Sequence, residues 1–170
     1  MATPIIGLDA GHGLKTPGKR TPDGIHEWTL NDKVRDKVVK ILADYDCEII
    51  HTDGDEGKTD ESLSSRLSTY MNKGCAAFVS IHHNANTGKR NNATGVEIFT
   101  DNKPTARDNK LAECIYDRLV KYTGMKRRGI KKKDFYVINQ DRIAAVLVEG
   151  GFMDGKEDYK YITSDAGQTA

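Results

Sequence analysis

Cysteine is scarce in this chain, and that scarcity argues against two common ways of stabilising a small domain. Only 3 of the 170 residues are cysteines, namely Cys47, Cys75 and Cys114, and no two of them form a CxxC pair. An odd number of widely spaced cysteines fits neither a disulfide framework nor a structural zinc site made of thiolates. We therefore expect free, buried thiols, and any metal ion must be bound by histidine and carboxylate.

The chain also lacks long hydrophobic runs and a strong net charge. No apolar stretch approaches the roughly 20 residues that a membrane-spanning helix needs. The first residues have neither the basic region nor the apolar length of a signal peptide. The formal net charge is +1, so no overall field attracts nucleic acid. We expect a protein that is made in the cytoplasm, does not insert into a membrane and does not bind nucleic acid.

Hydrophobic periodicity predicts an alternation of strands and helices along the chain. Helices are predicted over 27–45, 62–73, 104–122 and, in a shorter stretch, 156–162. Strands are predicted over 4–9, 47–52, 76–82, 95–100, 135–138 and 144–148, and the basic segment 124–134 is predicted to be a connection. Strands that alternate with helices require right-handed crossovers, so we expect an α/β fold. It would be a single domain with a mainly parallel twisted sheet of about six strands and helices on both faces.

Three of the predicted strands end in a residue that can bind a metal ion or a proton. His12 follows the first strand, His82 ends the strand over 76–82, and Glu149 follows the strand over 144–148. In an open parallel sheet, strand ends of the same polarity lie along one edge, and ligands bind in the crevice there. We therefore expect these three residues to meet in one cleft, although they are far apart in the sequence.

The residue types in this cleft suggest a hydrolase that uses a metal ion. A catalytic zinc ion commonly has three protein ligands and an open fourth position. His12 and His82 would supply two ligands, and Glu27, which opens the first helix, is the best candidate for the third. Glu149 would then be free to act as a general acid and base. Spacing alone leaves other roles open: His12 as a turn residue, Glu27 as an ordinary acid at a helix start, and His83 as the ligand in place of His82.

A longer set of motifs is informative because it runs through nearly the whole chain in one order. The segments are Leu8–Gly13 (LDAGHG), Glu27, Leu63–Arg66 (LSSR), Ser80–Ala85 (SIHHNA), Gly95–Glu97 (GVE), Arg128–Ile130 (RGI) and Leu147–Phe152 (LVEGGF). In this order they resemble the zinc-dependent N-acetylmuramoyl-L-alanine amidases of the third amidase family, which occur in phage endolysins and bacterial autolysins. One residue departs from the family pattern, because the position of His83 is commonly occupied by a small residue.

The resemblance implies an activity and a set of site residues. His12, Glu27 and His82 would bind one zinc ion per chain, and Glu149 would be the catalytic residue. The reaction would be hydrolysis of the amide bond between N-acetylmuramic acid and the L-alanine of the stem peptide in bacterial peptidoglycan. Residues 1–170 would be the catalytic domain, and we expect a final helix and a separate wall-binding module to lie beyond residue 170. Such an enzyme would act on the cell wall after its release from the cell.

Three other functions compete with this interpretation. Another zinc hydrolase, such as a carboxypeptidase or a deacetylase, would be distinguished by its activity on free peptides rather than intact wall. A wall-binding module without catalysis would not need a glutamate beside a metal site. A nucleotide-binding domain would use Ala10–Gly13 as a phosphate loop, but this segment matches neither a Walker A motif nor GxGxxG.

The basic run over 126–133 has two open interpretations. In most proteins such a run is a solvated loop. Beside a cleft, it would instead attract the carboxylates of the stem peptide or an anionic wall polymer.

Overall fold

The computed structural model describes residues 2–170, apart from the side chain of Asp55, and its central element is a six-stranded sheet. The strands, in chain order, are β1 (Ile5–Ala10), β2 (Glu48–His51), β3 (Ala77–Asn84), β4 (Val96–Thr100), β5 (Arg127–Lys132) and β6 (Ala144–Phe152). Their spatial order is β2-β1-β3-β6-β4-β5. All neighbouring pairs are parallel except β4 and β6, which are antiparallel. The predicted α/β class with a mainly parallel sheet is confirmed.

Five helices connect and cover the strands. They are α1 (Glu27–Leu42), α2 (Leu63–Asn72), α3 (Ala106–Thr123), α4 (Lys156–Ile162) and α5 (Asp165–Thr169), and short 3₁₀ turns occur at Asp55–Gly57 and Tyr136–Ile138. Helix α3 begins with a capping box in which Thr105 and Asp108 satisfy each other's backbone N–H groups. It ends at Gly124, whose φ of 65° is favourable only for a residue without a β-carbon. No helix in the described part of the chain has the length and apolar character that crossing a bilayer requires.

The sheet has a hydrophobic core on each face, which explains why its central strands are apolar along most of their length. On the α2 face, Tyr70 stacks on Phe78 with ring centroids 4.0 Å apart, and both side chains are fully buried. On the α3 face, Ala112 and Tyr116 pack against Ile98 of β4 and residues of β6. Layers on both faces leave the loops after β1, β3 and β6 at one edge of the sheet, because these strands are parallel.

Two local predictions are wrong, and both errors have a physical cause. The predicted basic connection contains strand β5, which pairs with β4 at the edge of the sheet. Charged side chains are common on edge strands because they oppose pairing with other chains. The many charges of this segment therefore led to the prediction of a connection where there is a strand. The strand predicted over 135–138 is instead a 3₁₀ turn that packs on α2, where the Tyr70 hydroxyl donates a hydrogen bond of 2.8 Å to the carbonyl of Val137.

The cysteines are free, as expected, but they are not all buried. Cys75 is buried and Cys47 is half-buried, whereas Cys114 lies on an exposed position of α3. The expectation of buried thiols is therefore wrong for Cys114.

Candidate active site

The loop after β1 presents His12 to the edge of the sheet in a conformation that is unusual for its residue type. His12 has a φ of 67°, in the left-handed region that only glycine adopts without cost. Its neighbour Gly11 is required for another reason, because a β-carbon there would lie 2.1 Å from the imidazole of His82. The glycine-rich start of this loop therefore allows the two histidines to approach each other.

Glu27 lies between these two imidazoles. Its Oε2 is 3.3 Å from Nε2 of His12, and its Oε1 is 3.0 Å from Nδ1 of His82. The two rings are 4.8 Å apart at their centroids and nearly perpendicular, at 88°. Glu27 reaches this position because it is the first residue of α1, next to the loop that carries His12. The structure thus brings together all three of the sequence-predicted ligand residues.

The donor atoms of this cluster fit a divalent metal ion. One ligand atom from each residue can be chosen so that all lie within 4.8 Å of one another. Two imidazole nitrogens and one carboxylate oxygen form a typical donor set of catalytic zinc sites. Glu27 is only 3% exposed, and burial alone would raise its pKa, but hydrogen bonds from His12 and His82 outweigh burial and hold the pKa well below its usual range. The carboxylate is therefore ionised, as a metal ligand must be.

Glu149 lies beside the cluster in β6, directly opposite His82 in the neighbouring strand β3. Its Oε2 is buried and has no hydrogen-bond partner among the described residues. Burial raises the pKa of Glu149 to about 8, with a further contribution from the nearby carboxylates of Glu27 and Glu97. Glu149 as a whole is half-buried, but a buried carboxyl oxygen without a partner is costly for the fold. A perturbed pKa in a cleft is typical of a functional residue.

His83 is adjacent to His82 in the sequence but has different surroundings. Its Nδ1 lies 2.8 Å from Oδ1 of Asn31 in α1, and Nδ2 of Asn31 donates a hydrogen bond of 3.0 Å to the carbonyl of Gly11. Burial lowers the pKa of His83 to about 4, so this imidazole is neutral at physiological pH. His83 therefore connects α1 with the loop that carries His12 and is not part of the three-residue cluster.

A buried ion pair between Arg66 and Asp9, which the sequence alone did not predict, holds the loop that carries His12. Arg66 of α2 contacts Oδ1 of Asp9 at 2.5 Å, and it also donates hydrogen bonds to the carbonyls of Ala10 and His12. Asp9 in turn accepts hydrogen bonds from the hydroxyls of Ser80 and Thr52. Arg66 lies in Leu63–Arg66, one of the segments that resemble the amidase family. The sequence does not show that its charge is buried, and that burial is the feature that indicates its role.

Two further buried acids fix the segments on the other side of the cleft. Glu97 accepts a hydrogen bond of 2.6 Å from Nδ2 of Asn84, which directly follows the two histidines. The carboxylate of Asp154 accepts hydrogen bonds from the backbone N–H groups of residues 86, 87 and 88. These contacts join residues far apart in the sequence, so no local pattern could have predicted them.

The cluster lines a cleft of about 650 Å³. His12, Glu27, His82 and Glu149 all line it. Other parts of its wall come from the loop after β1, from the start of α2 and from the segment after β5; they include Lys19, Asp60, Leu63, Lys133, Phe135 and Tyr136. The cleft thus has room for a substrate beside a cluster that could hold a metal ion and beside the unpaired Oε2 of Glu149.

Comparisons with known proteins agree with this geometry. Residues 6–170 match the model of the third amidase family, described as N-acetylmuramoyl-L-alanine amidase. The chain is 30% identical to the N-acetylmuramoyl-L-alanine amidase LytC of Bacillus subtilis over 164 residues, which cover 93% of this chain and 32% of LytC. It is 32% identical to the endolysin of Bacillus phage SPP1 over 169 residues, which cover 95% of this chain and 59% of the endolysin. The chain therefore spans only about a third and three-fifths of these two relatives.

Solved structures have the same fold. An N-acetylmuramoyl-L-alanine amidase from Clostridium difficile 630 superposes with a TM-score of 0.90 at 26% identity, over 99% of this chain and 90% of that one. The catalytic domain of the amidase CwlV from Bacillus (Paenibacillus) polymyxa var. colistinus gives a TM-score of 0.86 at 26% identity, over 98% and 90% of the two chains. The family match extends over nearly the whole sequence, so the chain belongs to the N-acetylmuramoyl-L-alanine amidase family.

Proposed function

We propose that this chain is a zinc-dependent N-acetylmuramoyl-L-alanine amidase. It hydrolyses the amide bond between N-acetylmuramic acid and the L-alanine of the stem peptide in bacterial peptidoglycan. The observation that carries the proposal is the position of Glu149, a half-buried acid whose buried Oε2 has no partner among the described residues, beside a cluster of two imidazoles and a carboxylate in one cleft. Membership of the amidase family supports the choice of this bond among the amides that such a site could cleave.

In this proposal His12, Glu27 and His82 hold one zinc ion. When bound, zinc supplies Lewis-acid chemistry that polarises the scissile carbonyl and activates water. Glu27 contributes a negative charge to the ligand set, and its contacts with both imidazoles orient their rings towards a common point. The buried network around Arg66 and Asp9 keeps the loop of His12 in place.

Glu149 moves the proton. A general acid and base works best when its pKa lies near the working pH, and burial brings the pKa of Glu149 to about 8. Its unpaired Oε2 is free to take a proton from the attacking water and to donate it to the nitrogen of the leaving amine. Because no described residue satisfies this oxygen, its partner in the proposed reaction is provided by the reacting molecules.

The chain acts, we propose, as the catalytic domain of a larger wall-degrading protein. Support comes from the two relatives described above, of which it covers only part. A separate wall-binding module would then deliver this domain to peptidoglycan. Similarity to a phage endolysin supports action on the wall after release from the cell in which the protein is made.

Digestion of purified peptidoglycan tests this function. The protein is incubated with the wall with and without a chelator, and the products are identified by mass spectrometry. We expect intact stem peptides that begin with a new L-alanine amino group, loss of their release with the chelator, and recovery on addition of zinc. Glu149→Gln should still bind zinc but lose turnover by about 10²–10⁴-fold. Cleavage within the peptide or the glycan, or full activity of Glu149→Gln, would contradict the proposal.

A further inference from the structure

The catalytic cleft contains three cationic side chains, and they differ in how their charge is compensated. Arg66 is buried and bound by Asp9 and Asp60, so its charge serves the fold. Lys19, in the loop after β1, is also exposed and forms no ion pair among the described residues, but its charge lowers the pKa of Glu149 and so acts on the proposed catalytic residue. Lys133 is exposed in the cleft and forms no ion pair with any described side chain. The positive charge of Lys133 is therefore available to a ligand.

The position of Lys133 is restrained by aromatic rings rather than by an acid. Its Nζ lies 4.6 Å from the ring centroid of Phe135 and 5.9 Å from that of Phe99. These rings contact each other edge to face, with centroids 5.2 Å apart, and Phe99 is buried. Cation–π contacts of this kind attract an ammonium group to a ring face without neutralising its charge. The ammonium group of Lys133 thus lies against two aromatic rings, and no acid among the described residues compensates its charge.

Three other basic residues of the same segment differ from Lys133 because they pair with acids. Arg128 and Lys131 both contact the buried carboxylate of Glu97, and Arg127 pairs with Asp117 at 3.0 Å. Lys132 is exposed and does not line the cleft. Three of the six basic residues of the run are therefore paired with acids. Within the described residues, Lys133 is the one member of the run that both lines the cleft and lacks an acidic partner.

We propose that Lys133 determines substrate specificity by binding a carboxylate of the stem peptide. This inference rests on the proposed function, because it assumes that a muramoyl peptide occupies the cleft. The peptide part of that substrate carries carboxylates, and an ammonium ion is a suitable partner for a carboxylate in a partly enclosed cleft. Lys133 then recognises the peptide side of the scissile bond, while the cluster and Glu149 act on the bond itself.

Two soluble substrates and two matched variants test this inference. The substrates are an N-acetylmuramoyl-L-alanyl peptide with free peptide carboxylates and the same compound with those carboxylates amidated. The variants are Lys133→Met, which removes the ammonium in the cleft, and Lys132→Met, which removes its neighbour outside the cleft. For wild type we expect kcat/KM to be about fivefold higher on the carboxylate substrate, as for a partly exposed ion pair. We expect this preference to vanish in Lys133→Met and to persist in Lys132→Met.

Other results would overturn the inference. One is a preference for the carboxylate substrate that is the same in wild type and Lys133→Met. Another is an equal loss of activity on both substrates in Lys133→Met, because that result indicates a structural role. A Lys133→Met defect on intact wall alone, without one on soluble substrates, would point to an anionic wall polymer instead. Calorimetric binding of both compounds to Glu149→Gln measures the preference without turnover. If the proposed amidase activity is wrong, wild type cleaves neither substrate. If only the role of Lys133 is wrong, wild type cleaves the substrates but its preference does not depend on Lys133.

Discussion

Gly11 and His82 approach so closely that a β-carbon on Gly11 would lie 2.1 Å from the imidazole ring. The close contact arises where strands β1 and β3 run side by side, since the backbone N–H of Gly11 donates a hydrogen bond of 2.9 Å to the carbonyl of Ile81. The imidazole of His82 thus lies directly against the backbone of the loop that carries His12. This contact restricts the ring to the orientation in which it meets Glu27.

The substitution Gly11→Ala should therefore damage the proposed metal site more than the fold. The added methyl group must push the imidazole of His82 aside, because a side chain moves more easily than two paired strands. We expect the purified variant to contain little zinc and to have little activity, while its circular dichroism spectrum stays unchanged. Metal analysis by mass spectrometry measures the first effect, and zinc bound at one ion per chain would refute the explanation.

The pair His82→Ala and His83→Ala tests which of two adjacent histidines belongs to the metal site. Removing His82 deletes a proposed ligand and a hydrogen-bond partner of the buried carboxylate of Glu27, so we expect zinc binding to be lost together with some stability. Removing His83 deletes a buried imidazole and leaves Asn31 without its partner, at a cost of about 1–3 kcal/mol. Zinc titration and urea unfolding of both variants separate the two roles. Loss of zinc in His83→Ala with full binding in His82→Ala would reverse the assignment.

The Arg66–Asp9 pair should stabilise the protein strongly as long as both partners are present. Both side chains are almost fully buried, so Arg66→Met leaves the carboxylate of Asp9 without its cation and should cost about 3–5 kcal/mol. It also releases the carbonyl of His12, and we expect weaker zinc binding. Urea unfolding and zinc titration measure these effects.

A double substitution provides the control for this prediction. Arg66→Met combined with Asp9→Asn removes both charges, so part of the lost stability should return, while the defect in zinc binding should remain. A double variant that is less stable than Arg66→Met would show that the unpaired charge is not the main cost.

Much of this architecture could be predicted from the sequence because its signals are local. Apolar runs identified the central strands, and the residues that end them identified the cleft, since parallel strands must align their ends. The choice of His82 over His83 followed from the resemblance to the amidase family. The structure shows the physical reason, because His82 contacts Glu27 whereas His83 contacts Asn31. Local signals thus located the cleft, and the family resemblance was needed to choose the members of the cluster.

The features that the sequence concealed depend on contacts between distant segments. Strand β5 carries charged residues instead of an apolar pattern. It tolerates the charges of Arg128 and Lys131 because Glu97 in the next strand compensates them. The same is true of Arg66, whose burial follows from the position of Asp9. A charge pattern alone does not tell a solvated run from a set of ion pairs, since the acid that pairs with it can lie anywhere in the chain.

The contacts of Glu97 predict how stability depends on pH. Burial raises the pKa of this carboxyl, but hydrogen bonds and charges from Lys131 and Arg128 outweigh burial, so the pKa in the folded protein lies below its ordinary value of 4.5. A folded-state pKa below the unfolded value means that the stabilisation is complete above about pH 4.5 and is lost as the pH falls through the folded pKa.

Glu97→Gln should therefore cost about 2 kcal/mol at pH 7 and much less at pH 3. Urea unfolding at a series of pH values measures the difference, with Glu157→Gln, an exposed acid on α4, as the control. A penalty for Glu97→Gln that does not change between pH 7 and pH 3 would mean that packing around the side chain, rather than its charge, accounts for the effect.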